Sequence, residues 1–174
     1  TEFNIEGNPI PQFMDLVLQV KPTQVTLVPD AENAITSNAG WDTRKNKDFL
    51  KEVIAEFKRN NIRTSIFVDP LPEMVKGALE TGTDRIELYT EAFATEFEKG
   101  NKQAIKPYAE CAEIANDLGL GINAGHDLSL KNIEFFKANI PGLLEVSIGH
   151  ALITESLYSG LEHVIGEYLK VLKK

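Results

Sequence analysis

Two glycine–histidine pairs stand at the ends of short apolar runs. Gly125-His126 follows Gly121-Ile122-Asn123-Ala124, and Gly149-His150 follows Glu145-Val146-Ser147-Ile148. Histidine gives or takes a proton near neutrality. The small residues before it let a ligand approach the backbone closely. Two glutamates sit at comparable places, Glu6 at the end of an opening alternating run and Glu87 within Ile86-Glu87-Leu88. Glu87 alternates away from its apolar neighbours, so it points to the other side of a strand, where a buried, unpaired carboxylate is costly. Carboxylates and histidines at strand ends are the groups that general acid–base chemistry needs. Each also has a plainer reading: Glu6 as a surface residue, Glu87 as a paired structural carboxylate, His126 and His150 as packed or capping histidines. Asp30 and Asp69 adjoin prolines and read as turn or cap residues, and His163 reads as a surface or packing residue. Gly149-His150-Ala151 opens a helix, whose free N–H groups and dipole favour an anion. No Gly-x-Gly-x-x-Gly follows a strand and no Walker A motif is present, which argues against dinucleotide and P-loop chemistry.

The elements that must position these residues alternate regularly. Strands are expected at 1–6, 24–28, 63–69, 84–89, 119–125 and 143–148, each followed by a helical pattern or loop. Helical stripes include Phe13, Leu16, Val17 and Val20; Phe49, Leu50, Val53, Ile54 and Phe57; residues 73–81; a segment ending near Leu118; residues 130–139; and a closing helix over 153–172. The stretches 31–40 and 90–102 read as loops. Six strand–helix units joined by helical crossovers imply parallel strands and an α/β fold. The unit count matches an open, doubly wound sheet. Polar residues at nearly every strand end match instead a barrel, where all strand ends face one mouth.

Composition narrows the partners. The 174 residues carry a formal net charge of -8, with 43% hydrophobic and 25% charged residues. One soluble domain over 1–174 is expected, with no nucleic acid or membrane partner, since both ask for basic patches. The single cysteine, Cys111, excludes an intrachain disulfide and reads as a buried small residue. No leader or membrane span is evident, which fits the cytoplasm.

Several segments together carry a resemblance: Asn4-Ile-Glu6, Leu27-Val-Pro29, Ala34-Ile-Thr36, Gly40-Trp-Asp42, Ser65-Ile-Phe-Val-Asp69, Ile86-Glu-Leu-Tyr-Thr90, Leu118-Gly-Leu-Gly-Ile-Asn-Ala-Gly-His126 and Ile148-Gly-His-Ala-Leu-Ile153. The chain resembles the pyridoxine 5′-phosphate synthase family from end to end. The resemblance implies a (β/α)8 TIM barrel of vitamin B6 biosynthesis, of which this chain supplies six units, strands 3–8. The units that come first in the family, with a catalytic histidine and most phosphate-binding arginines, are not in the sequence. The implied reaction condenses 1-deoxy-D-xylulose 5-phosphate with 3-amino-2-oxopropyl phosphate, giving pyridoxine 5′-phosphate, phosphate and water. It implies no metal, no organic cofactor and a homo-octamer. Residue by residue, it implies Glu6 as proton acceptor, His126 as proton donor and Glu87 as transition-state stabiliser. Thr36 would contact deoxyxylulose phosphate, and Gly149 and His150 the aminooxopropyl phosphate. Asp127 stands at a phosphate-site position that is usually glycine. Its backbone N–H could keep that contact, but its carboxylate must turn away or pair with a cation.

Two other readings remain open on the residues alone. Glu6, Glu87, His126 and His150 are also plausible metal ligands, as in a metal-dependent sugar isomerase or lyase. The chain could also be an inactive barrel fragment that acts only as an oligomerising or binding module, because an open assembly leaves strand edges exposed.

Overall fold

The computed structural model describes residues 2–30 and 39–173. Six parallel strands form one sheet in chain order: β1 (Asn4–Gly7), β2 (Gln24–Leu27), β3 (Arg63–Val68), β4 (Arg85–Tyr89), β5 (Gly121–Gly125) and β6 (Leu143–Ser147). The helices between them are α1 (Pro11–Val20), α2 (Lys47–Arg59), α3 (Pro72–Thr81), α4 (Glu91–Glu98), α5 (Lys106–Asp117) and α6 (Ile133–Asn139). Two more, α7 (His150–Ser159) and α8 (Leu161–Lys173), follow β6. Prolines open α1 and α3, where the missing N–H costs no helical bond.

Alternation divides the sheet into two faces. Val25, Leu27, Ile66, Val68, Ile86, Leu88, Ile122 and Ala124 pack outward into one apolar layer with Leu50, Ile54 and Phe57 of α2, Val75 of α3, Cys111 of α5 and Phe136 of α6. Cys111 is fully buried there, as a small apolar residue would be. The other face carries Gln24, Thr26, Ser65, Glu87 and Asn123, all buried although polar. The register aligns them, with Thr26 opposite Ser65 and Glu87 opposite Asn123.

The sheet is curled. Four strand spacings would place β2 and β6 about 19 Å apart if it were flat. Instead Gln24 Nε2 donates to Glu145 Oε1 across the inner face at 3.3 Å. The inner face is thus the lumen of a partly closed barrel, and its polar side chains bond one another across it. Among the described residues no helix is long and apolar enough to cross a membrane.

Two expectations are corrected. The stretch 90–102 is not a loop: it contains α4, whose Phe93 and Ala94 are buried. The closing helix is two helices, broken at Gly160, where φ is +84°.

Candidate active site

The C-terminal ends of the strands surround one cavity of ≈ 740 Å³. Glu6, Glu87, His126, Asp127, Gly149 and His150 all line it. They come from β1, β4, the turn after β5, and the junction of β6 with α7. Thr36 lies outside the described residues.

Glu87 is the deepest of these groups. Thr26 Oγ1, from β2, donates to its Oε2 at 3.4 Å, and Asn4 Nδ2 donates to that same hydroxyl at 3.1 Å. Ser147, from β6, hydrogen-bonds the carboxyl as well. Gly125 completes the seat, because a β-carbon there would stand 2.3 Å from Glu87 Oε1. Burial pushes the Glu87 pKa up to about 8, and Glu6 and Glu145 push it the same way against the two hydroxyls. At neutral pH Glu87 is therefore mostly protonated and can donate a hydrogen bond into the cavity.

Glu6 stands nearer the opening, reached by solvent on one side and crowded by protein on the others. That crowding raises its pKa, the negative charge of Asp30 raises it further, and His126 opposes both. Asp30 thus belongs to the cavity lining and not merely to a turn. Asp69, in contrast, has the turn role expected of it: its Oδ1 accepts from Gly40 N at 3.2 Å. With Trp41 N donating to Phe67 O at 2.8 Å, that bond ties the chain from Gly40 across the end of β3.

His126 is held in an unusual backbone. Its φ is +82° and that of Asp127 is +59°, a region that residues other than glycine seldom occupy. Hydrogen bonds over-determine the turn. Thr90 donates from its hydroxyl to Gly125 O at 2.8 Å and also to His126 O, while Asn132 Nδ2 donates to Asp127 O at 3.2 Å. The imidazole meets the edge of Tyr89 with ring centres 5.0 Å apart, and its Nδ1 lies 3.1 Å from Asp127 Oδ2. Backbone strain held this firmly clusters at functional sites.

Gly149 and His150 begin α7, whose first turn contains no acidic side chain. Both are exposed to the cavity side, so the first N–H groups of α7 are available to an anion. No lysine or arginine lines the cavity among the described residues. Nor, among those residues, does any group of three or more His, Cys, Asp and Glu side chains come together to hold a metal ion, which leaves the metal-dependent reading without a ligand set there. His163 is exposed on α8, away from the site, as expected.

Sequence reasoning missed Thr26, Ser147 and the participation of Asp30. The strand register places the first two on the Glu87 face.

A family model described as pyridoxal phosphate biosynthesis protein PdxJ matches residues 1–174. A protein of Christiangramia forsetii named pyridoxine 5′-phosphate synthase is 75% identical over 173 residues, covering 99% of this chain and 73% of its own length. Proteins of the same name from Flavobacterium johnsoniae and Bacteroides fragilis are 72% and 58% identical over the same coverage. Among solved structures, a variant of the citrate synthase SbnG superimposes with a TM-score of 0.62 at 11% identity, over 99% of this chain and 72% of that one. The unaltered SbnG gives 0.59 at 14% identity, over 99% and 74%. At such identities these two likenesses concern the fold alone.

Proposed function

The chain belongs to the family of pyridoxal phosphate biosynthesis protein PdxJ, and from that premise we propose how its cavity makes pyridoxine 5′-phosphate. The amine of 3-amino-2-oxopropyl phosphate condenses with the carbonyl of 1-deoxy-D-xylulose 5-phosphate. The carbinolamine loses water, and proton shifts then expel phosphate and close the ring. Such a sequence needs a base that is poised to take a proton, an acid that returns it to a departing oxygen, and a neutral donor beside the developing oxyanion.

Glu6 is the base. Its raised pKa makes it a better acceptor than an ordinary surface carboxylate. His126 is the acid that delivers a proton to the leaving hydroxyl, which departs as water. Glu87, carrying its own proton at neutral pH, stabilises the oxyanion by hydrogen bonding without placing a second negative charge beside Glu6. Gly149 and His150 receive the phosphate of 3-amino-2-oxopropyl phosphate at the start of α7, and Asp127 contributes its backbone N–H there. Thr36 contacts deoxyxylulose phosphate. As the family resemblance implies, no metal or organic cofactor takes part in this scheme.

The observation that carries this reading is the convergence of Glu6, Glu87 and His126 from three separate strands on one cavity, with both carboxyls pushed toward their neutral forms. The Glu6→Gln variant tests it: turnover should fall far more than product binding weakens. Equal losses would remove Glu6 from the chemistry.

The curled sheet supports a closed (β/α)8 barrel in which these six strands are strands 3–8 of a single domain. In this proposal the two earlier units bring the arginines that the described cavity lining lacks. An intact mass well above 19.3 kDa for the source protein is the expected result. The enzyme acts in the cytoplasm as a homo-octamer. Apolar residues on α7 support self-association, with Leu157 79% and Tyr158 93% exposed. Light scattering measures the copy number.

A further inference from the structure

We propose that Asp127 is a positioning residue, which holds His126 in its Nδ1–H tautomer and so presents Nε2 to the cavity. The inference rests on the assignment of His126 as proton donor and goes beyond it.

The geometry has three parts. Asp127 Oδ2 lies 3.1 Å from His126 Nδ1, within hydrogen-bond distance. The His126 side chain is 17% exposed, so its ring is walled in, while that of Asp127 is 41% exposed and keeps its charge hydrated. Both residues have positive φ, and that shared turn brings two adjacent side chains together that would diverge on an extended strand. The Tyr89 ring edge bounds the imidazole at 5.0 Å and limits its rotation.

The chemistry follows from the proton inventory of imidazole. A carboxylate accepts only, so the nitrogen facing Asp127 must carry hydrogen. In neutral His126 the unprotonated nitrogen is then Nε2. When the ring takes a second proton, it resides on Nε2 and the new positive charge sits beside Asp127. Donation from Nε2 to the departing hydroxyl breaks one N–H bond, forms one O–H bond and returns the ring to the Nδ1–H tautomer. The lone pair left on Nε2 is ready for the next proton. Without Asp127 the neutral ring is free to hold its proton on Nε2 instead, and the cycle loses its direction. The same carboxylate repels phosphate from its side of the turn, which leaves anion binding to the backbone N–H groups and the start of α7.

Nitrogen-15 NMR of histidine-labelled protein, at a pH where His126 is neutral, reads the tautomer directly. The wild-type chain should show a protonated Nδ1 and a pyridine-like Nε2. Asp127→Gly, which suits a φ of +59°, should shift the population toward Nε2–H without loss of fold. Asp127→Asn, whose side-chain oxygen still accepts, should keep Nδ1–H. In turnover, Asp127→Gly should lower kcat about tenfold with KM nearly unchanged, the size of loss seen when a histidine's orienting partner is removed. An Nε2–H tautomer in the wild type, or an unchanged tautomer in Asp127→Gly, overturns the proposal. A raised KM with unchanged kcat also overturns it, because that would confine the Asp127 side chain to substrate binding. His126→Gln with full turnover would defeat the donor assignment while leaving the tautomer result standing, so the two failures are distinguishable.

Discussion

The two ends of the barrel lumen hold the same residue types in opposite electrostatic settings. At the N-terminal end each carboxylate meets a cation or an amide. Arg85 Nη1 donates to Glu145 Oε2 at 3.0 Å and to Asn123 Oδ1 at 3.2 Å. Arg63 Nε donates to Gln24 Oε1 at 2.8 Å and its guanidinium pairs with Glu2. Glu2 is correspondingly pulled below the ordinary carboxylate pKa by Arg63. At the C-terminal end Glu6, Asp30 and Glu87 crowd together with histidines as their nearest basic groups among the described lining residues, and Glu6 and Glu87 are pushed up. One end spends its charges on holding strands together. The other withholds compensation, so Glu6 and Glu87 are both held above the ordinary carboxylate range. The same glutamate side chain thus serves structure or chemistry according to whether an arginine lies within reach.

Substitutions at the two ends should therefore separate activity from stability. The largest effect expected is on turnover of Glu6→Gln, a loss of about 10³-fold in kcat with product affinity nearly intact, measured by steady-state kinetics and calorimetric titration. Next comes Gly125→Ala, whose methyl would stand 2.3 Å from Glu87 Oε1 and 3.0 Å from Ser147 Cβ. It should cost about 1–3 kcal/mol in denaturant melts and cut turnover by displacing the carboxyl. At the opposite end, Arg85→Met leaves the partly buried Glu145 without its cation. That should cost about 2 kcal/mol, discounted from a fully buried pair, with KM and kcat close to wild type. Loss of activity at unchanged stability in this variant would erase the distinction between the ends.

The subtlest effect is a slope. Glu87 keeps its proton up to a pKa of about 8 in the folded protein, against an ordinary 4.5. Between those values the native state holds a proton that the unfolded chain has released, so stability should fall as pH rises from 4.5 toward 8. Glu87→Gln should flatten that decline in melts taken across the window. A wild-type stability that rises through it would mean the carboxyl is ionised in the fold.

Much of this architecture was legible before any coordinates. Six apolar runs, each ending in polar or small residues, located β1 to β6, and the glycine–histidine pairs located the mouth. What stayed hidden has a common cause. A residue that alternates away from the apolar layer looks the same whether it faces water or the lumen of a barrel, so Thr26 and Ser147 could not be told from surface residues. Asp30 was masked by its neighbouring proline, which made a turn role sufficient. The helix α4 was obscured by its charges, although Phe93, Ala94 and Phe97 recur at helical spacing. The break at Gly160 was concealed because Leu157 and Leu161 continue one apolar stripe across it. Thr36 is placed only by the resemblance, in a segment outside the described residues.

The left-handed turn at His126 and Asp127 also makes a statement about inheritance. A sequence drifting under selection for folding alone would move both positions toward glycine or asparagine, which occupy that backbone at lower cost. A library randomised at these two codons should thus diverge under two regimes. Sorting for a folded chain should enrich glycine and asparagine, whereas growth that depends on the chain's own vitamin B6 should restore histidine at 126. The distance between the two resulting populations would measure how far this bend in the chain is kept by its chemistry and not by its stability.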